Sequence, residues 1–350
     1  MEVFLAIVLF IVGLALIIKG GDFFVDGASW FAEKSGIPKL IVGATIVSVA
    51  TTLPEMVTSF SGTAQGSLGL AMGNAVGSVI ANTAMIMSIS IIFMPVIVKR
   101  KDYLFKSILF IGVSALLLVF LLNGNMDVFE SIIILLFAIV FMVENYLVAK
   151  ETVKATKVIN KANKKAFKEA REAEKLDKCI INNTAQQDKK KENGKILTIN
   201  ILKFLFGAAG IFFGAQLLVK YGKELALLMG ISEAIVGLTI VAIGTSLPEL
   251  VTTITAIRKK QSSLSIGNII GANIIDISLI LPICGFISGG VLRPDTMQTA
   301  YLDLPMVLII AIIMLVPTLI KKKFSRWQGI LSLIMYIAYL VIIAGNFIQF

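Results

Sequence analysis

Residues 43–55, GATIVSVATTLPE, occur a second time: residues 237–249 read GLTIVAIGTSLPE. Aligning 41–60 with 235–254 at a constant offset of 194 gives 12 identities in 20 positions without a gap. The same offset runs on through Gly73/Gly267, Asn74/Asn268 and Gly77/Gly271. A gapless duplication restricts the chain to architectures made of two like halves. In each copy an acidic residue, Glu55 or Glu249, directly follows a proline inside an otherwise apolar run. A carboxylate in hydrocarbon costs kilocalories, so by default it marks an ion or substrate site. Two of them, in duplicated and proline-broken helices, point to one site assembled from two halves.

Composition says where such halves reside. Hydrophobic residues make up 57% of the chain and charged residues 15%, with a mean hydropathy of +0.90. The apolar residues come in runs of about 20, the length that spans a bilayer. This is the composition of a polytopic membrane protein. The net charge of +10 is no nucleic-acid footprint, because the basic residues cluster in the loops that flank the apolar runs. Histidine is absent, which removes the commonest proton relay and zinc ligand. Cys179 and Cys284 lie in a polar loop and an apolar helix, so no disulfide is expected between them, and no metal-type cysteine spacing occurs. The first segment lacks a basic start and a small-residue cleavage site, and is read as a retained span rather than a signal peptide.

Ten spans fit: roughly 3–33, 36–61, 68–94, 103–122 and 127–148, then 197–228, 231–257, 262–287, 302–320 and 327–348. The organisation expected is a first transmembrane repeat at 1–148, a cytoplasmic polar loop with a short helix at 149–195, and a second repeat at 196–350. With both termini outside, every basic cluster falls on the inner side: Lys99-Arg100-Lys101, the 149–195 loop, Arg258-Lys259-Lys260 and Lys321-Lys322-Lys323. Five spans per half is an odd number, so the halves sit in opposite orientations. The fold class is therefore all-α and polytopic: two inverted five-helix repeats with broken helices at the midplane, the architecture of secondary transporters.

Proline has no N–H to donate. Pro54 frees the carbonyl of Ala50, and Pro248 that of Gly244. In a membrane such carbonyls need partners, and lining an ion cavity provides them. Thr51, Thr52, Thr245 and Ser246 add hydroxyl oxygens, and Glu55 and Glu249 add carboxylates. An all-oxygen cage with negative charge suits a hard cation such as calcium. No lysine or arginine lies in the central runs of spans 2, 3, 7 and 8, so cations or protons must neutralise the pair. Spans 3 and 8 supply the other wall, GNAVGSVIANTAM (73–85) and GNIIGANIIDISL (267–279). Here Asp276 is the counterpart of Asn82, and Ser78 and Asn82 share a helical face at i and i+4. The paired glycines of GxxxG type are read as close-packing devices rather than ion contacts.

GTSLPE, its near-copy ATTLPE and the paired GNxxG stretches resemble the alpha repeats of the calcium/cation antiporter superfamily, above all its prokaryotic sodium/calcium exchangers. The resemblance implies that Glu55 and Glu249 bind calcium with oxygens of Thr51 and Thr245. It implies sodium sites from the same glutamates with Ser78, Thr245, Ser246, Thr52 and carbonyls near Ser48 and Ala242. Asn82 and Asp276 would line the middle of the site, and spans 1 and 6 would form a mobile pair that slides past the remaining helices. Ala272 stands where relatives often carry serine, and Ser48 where alanine is common; both bear on the number of sodium sites. The function expected is sodium/calcium antiport across the cell membrane, with proton- or potassium-coupled exchange as the alternative. Its partners are calcium, sodium and the lipid bilayer, with no cofactor, nucleic acid or obligate protein partner. An intramembrane protease would need an aspartate pair in suitable motifs, a Ser/His arrangement or HExxH, none of which is present.

Overall fold

In the computed structural model, residues 2–174, 185–228, 242–294 and 297–348 are described. They form helices α1 (Glu2–Ser35), α2 (Lys39–Thr51), α3 (Leu53–Ala64), α4 (Leu68–Phe93), α5 (Arg100–Leu122) and α6 (Val128–Glu174). The second half follows with α7 (Ala185–Leu228), α8 (Ala242–Thr245), α9 (Leu247–Arg258), α10 (Ser262–Ile287), α11 (Thr299–Lys321) and α12 (Arg326–Ile348). Among the described residues eight helices are long and apolar enough to cross a membrane, and nine spans result when the pair α2–α3 is taken as one. The expected seventh span, 231–257, is described only from residue 242 onward; its first part lies outside the described residues.

The breaks fall where the sequence puts proline. The pair α2–α3 bends by 44° at Thr52, two residues before Pro54. In the second half α8 ends at Thr245 and α9 starts at Leu247, with Pro248 in its first turn. Proline is tolerated in a first turn, where its missing N–H would have had no intrahelical partner. Two other departures from α geometry are not visible in the hydrophobic pattern. Helix α4 contains a π turn at Ala81–Ile86 and α10 one at Asp276–Ile280, matching positions in the two halves. Two further π turns lie within α2 at Gly43–Val47 and at the start of α11 at Thr299–Asp303.

Helices α4 and α10 form the centre. Of their most apolar stretches, 72% and 83% is buried, against 22% for α1 and 11% for α7. The core around them is aliphatic, with Val76, Val79, Ile270, Ile274 and Ile277 fully enclosed and α5, α6, α11 and α12 packed outside. Helices α1 and α7 lie along each other at the periphery through a run of small residues. A methyl group on Gly20 would stand 2.9 Å from the carbonyl oxygen of Gly207, and one on Gly214 2.8 Å from that of Gly13. Backbones at that separation pack without a hydrophobic driving force, as helix pairs in lipid must.

Two short antiparallel contacts relate the halves. The segment after α4 meets the segment after α11, with Val98 N–H to Lys322 O at 3.0 Å and Phe324 N–H to Val96 O at 2.9 Å. The loop before α6 meets the loop after α10, where Met126 and Leu292 exchange both bonds at 2.9 Å. The third loop of one half thus pairs with the fourth loop of the other, and vice versa. That reciprocity is what two inverted repeats about a two-fold axis in the membrane plane require. The first contact also brings Lys99-Arg100-Lys101 and Lys321-Lys322-Lys323 to one face. A groove lined by Lys39, Pro95, Ile97 and Lys260 puts a third basic loop beside them.

The polar stretch after the fifth span was expected to be a loop with a short helix. Instead α6 runs without interruption to Glu174. No glycine or proline occurs between residues 149 and 174, so nothing ends the helix at the edge of the apolar run.

Candidate ion-binding site

The duplicated motifs converge where α3 and α9 begin. Glu55 and Glu249 are both in the first turn after a break, and both are buried, as is Asp276 at the start of its π turn. Their charges act on one another: Glu55 is repelled by Glu249 and Asp276, and Asp276 by Glu249. Among the described residues no donor lies within bonding distance of any of the six carboxylate oxygens, the Thr51 hydroxyl near Glu249 included, and none of them is in an ion pair. Three uncompensated carboxylates in hydrocarbon cost on the order of 3 kcal/mol each even on the mildest insertion scale. Such groups in a native fold call for a cation or a proton to complete them.

The surrounding polar atoms are unsatisfied in the same way. Ser78 Oγ, both side-chain polar atoms of Asn82, and Ser246 Oγ are buried without a partner. Ser78 and Asn82 lie one turn apart on α4, with Asn82 inside the π turn. The extra residue of a π turn locally re-aims side chains, and such turns recur at functional sites. Among the described residues, no three acidic, cysteine or histidine side chains are gathered tightly enough to hold a metal ion by themselves. A cation here must therefore draw on hydroxyl, amide and backbone oxygens as well, which is the mixed oxygen set that hard cations take.

Not every expected oxygen is free in this conformation. The Ser48 carbonyl receives Thr52 N–H at 2.9 Å and Thr52 Oγ1 at 2.7 Å, so its lone pairs are in use. Thr245 is half-buried; Ala242 opens the short helix α8, and its side chain lies outside the described residues. Ala272 is fully enclosed on α10, with no oxygen to offer at the position matching Ser78.

Helices α1 and α7 cover the two proline breaks. A narrow cavity has Ala50, Thr51, Pro54 and Pro248 on one side and Phe24, Ile211 and Phe212 on the other. A polar contact ties the peripheral pair to the core. Lys259, just after α9, donates its ammonium to Asp22 O and Asp26 Oδ1, each at 2.7 Å.

A set of buried side chains behind the site went unassigned in the sequence. Asn268 accepts from Thr51 Oγ1 at 3.0 Å and donates to Thr252 Oγ1 at 3.2 Å, and Thr252 donates to the Glu249 carbonyl at 3.0 Å. In the other half Asn74 donates to the Glu55 carbonyl at 3.2 Å and to Ser59 Oγ at 2.9 Å. Asn273 donates to Thr83 Oγ1 at 2.6 Å across the two central helices. The signal that could have found Asn74 and Asn268 is their duplication at the same offset as the glutamates.

The comparisons with known proteins agree with this geometry. The chain is 30% identical to the sodium/calcium exchanger MaX1 of Methanosarcina acetivorans over 354 aligned positions, covering 95% of this chain and 97% of that protein. It is 30% identical to an uncharacterized membrane protein of Methanocaldococcus jannaschii, covering 94% of each. Among solved structures it superposes on the sodium-calcium exchanger NCX_Mj, soaked with 10 mM Na+ and zero Ca2+, with a TM-score of 0.75. That match has 26% identity and covers 97% of this chain and 99% of that one. The profile of the family described as "Sodium/calcium exchanger protein" matches residues 5–147 and 199–345, one stretch in each half. The chain belongs to the sodium/calcium exchanger protein family.

Proposed function

We propose that the chain is a secondary antiporter that exchanges sodium for calcium across the cell membrane by alternating access. The observation that carries this reading is the group of three buried, mutually repelling carboxylates without any partner, framed by hydroxyl and amide oxygens from both repeats. Calcium would take Glu55 and Glu249 with oxygens of Thr51 and Thr245. Sodium ions would use the same glutamates with Thr52, Ser246, Ser78 and backbone carbonyls near Ser48 and Ala242, while Asn82 and Asp276 line the middle. Because the glutamates serve both ions, occupancy by one excludes the other. A carrier whose empty site holds uncompensated negative charge resists crossing empty, and this turns shared ligands into exchange. The names of the relatives, sodium/calcium exchanger MaX1 and sodium-calcium exchanger NCX_Mj, support the same pair of ions.

Access would alternate by sliding of α1 with α7 over the proline breaks, since the two pack as one glycine-lined unit and cover Thr51, Pro54 and Pro248. The face that collects Lys39, Lys99, Lys260 and Lys322 would be cytoplasmic by the positive-inside rule, with residues 149–195 on the same side and both termini outside. Residues 1–148 and 196–350 would act as the two repeats and 149–195 as the polar loop joining them. No cofactor and no obligate protein partner enter this cycle. Calcium-45 uptake into proteoliposomes under imposed sodium, potassium or proton gradients tests it. Uptake driven by outward sodium is expected, and uptake that follows only the proton or potassium gradient would replace sodium as the coupling ion.

The two central helices also set an expectation for sodium. Ser78 Oγ is buried and unpartnered, whereas its repeat mate Ala272 brings no oxygen. Ala272→Ser should strengthen sodium activation by roughly two- to tenfold, the worth of one neutral hydrogen-bond-sized contact, and leave calcium half-saturation nearly unchanged. Sodium titration of calcium-45 flux in both proteins measures this. Superimposable curves would remove position 272 from the sodium pathway.

A further inference from the structure

Thr51 stands beside the Glu249 carboxylate. A hydroxyl in that position would ordinarily donate its proton to the carboxylate, since charge-assisted bonds are the stronger ones. Such a bond would spend one of the carboxylate's lone pairs and aim the hydroxyl's proton toward the side where the cation binds. A hydroxyl serves a cation only through a lone pair, so its proton has to be held elsewhere.

The buried groups behind Thr51 hold it there. The Glu249 carbonyl can only accept, so Thr252, 3.0 Å away, spends its one proton on it. Thr252 Oγ1 then has only lone pairs left and must accept from Asn268, whose amide Nδ2 lies at 3.2 Å. That fixes the amide with Oδ1 toward Thr51, 3.0 Å from its hydroxyl. An amide oxygen can only accept, so Thr51 is the donor. Besides the Glu249 carboxylate nearby, the other acceptor is the Ser48 carbonyl at 3.3 Å, which is already taken by two shorter bonds. Every member of the chain is buried, with no solvent to reverse it.

We infer that Asn268, with its orientation fixed by Thr252, is a positioning residue for ion binding: it draws the Thr51 proton away so that the Thr51 lone pairs and the Glu249 carboxylate face the same cation. The relay crosses the repeats, from α2 of one half to α10 of the other. The first half repeats the anchor by a different route. Asn74 donates directly to the Glu55 carbonyl and to Ser59, which leaves its Oδ1 as the end for a hydroxyl of the opposite repeat. In both halves the carbonyl of the ion-binding glutamate sets the direction of the amide. This inference rests on the assignment of Thr51 as a calcium ligand.

A double-mutant cycle tests it, with calcium-45 flux in proteoliposomes as the readout. Asn268→Ala should raise the calcium half-saturation roughly two- to tenfold with the maximal rate little changed. Thr252→Val, which keeps the amide but releases its orientation, should act in the same direction with a smaller effect, and it guards against a poorly folded Asn268→Ala. Both should lose their effect in a Thr51→Val background, where no hydroxyl remains to orient. Penalties that multiply in the double variants, or a fall in maximal rate at constant half-saturation, would overturn the relay. A wild-type protein that carries no calcium would instead overturn the assignment beneath it.

Discussion

Glu55→Gln and Glu249→Gln are each expected to abolish calcium transport, by at least a hundredfold in rate at any accessible calcium concentration. Glutamine keeps the shape and one acceptor oxygen but removes a full charge. One charge about 4 Å from a cation, at an effective dielectric of about 20, is worth on the order of 4 kcal/mol, which is nearly a thousandfold in affinity. The same substitution should not unfold the protein, because the charge it removes is buried without a protein partner. Thermal unfolding in detergent separates the two effects. In chelator each variant should melt at or above the wild-type temperature, since the cost of a desolvated carboxylate is gone. Adding calcium should stabilise the wild type, by about 2.7 kcal/mol at a hundred times its dissociation constant, and leave the variants unmoved. Near-normal sodium-driven calcium flux in either variant would remove that glutamate from the site.

What could be read in the sequence was what chemistry makes costly. Two glutamates and an aspartate in apolar runs pointed to the candidate site, and all three are buried without a protein partner. Pro54 announced the bend, which falls at Thr52. The odd number of spans per half announced inversion, and the reciprocal pairing of loops at Ile97/Lys323 and Met126/Leu292 agrees with it. What escaped was relational. Asn268 and Thr51 are 217 residues apart, and nothing local to either says that one would hold the other's proton. The π turns at Ala81–Ile86 and Asp276–Ile280 each add one residue to a turn, a phase slip too small to disturb an already continuous apolar run. The length of α6 escaped because the edge of hydrophobicity was taken for the edge of the helix. The two coincide only where a breaker ends the backbone as well.

Gly267→Ala should be as damaging to the fold as the glutamate substitutions are to transport, although it adds one methyl group. Helices α2 and α10 touch backbone to backbone: a methyl on Gly267 would overlap the carbonyl oxygen of Leu40, and one on Gly43 would overlap that of Leu264. A methyl on Gly271 would stand 2.7 Å from the carbonyl oxygen of Ala44. Neither partner is a flexible side chain, so the helices themselves must part. Overpacking a tight core costs about 1–3 kcal/mol, and rigid backbone on both sides puts this case at the upper end. The opening falls one residue from Asn268, so it would also stretch the 3.0 Å bond to Thr51. Calcium half-saturation should therefore rise even in the fraction that remains folded. Gly112→Ala supplies the control, because its methyl would meet only Phe137 Cε1, at an ordinary 3.9 Å. Alanine is the better helix former by about 1 kcal/mol, so that variant should hold or gain stability. Melting temperatures of the two purified variants, with calcium-45 flux from equal amounts of folded protein, decide the point. If Gly267→Ala melts with Gly112→Ala and transports as the wild type does, the close contact of α2 with α10 is not what holds the site together.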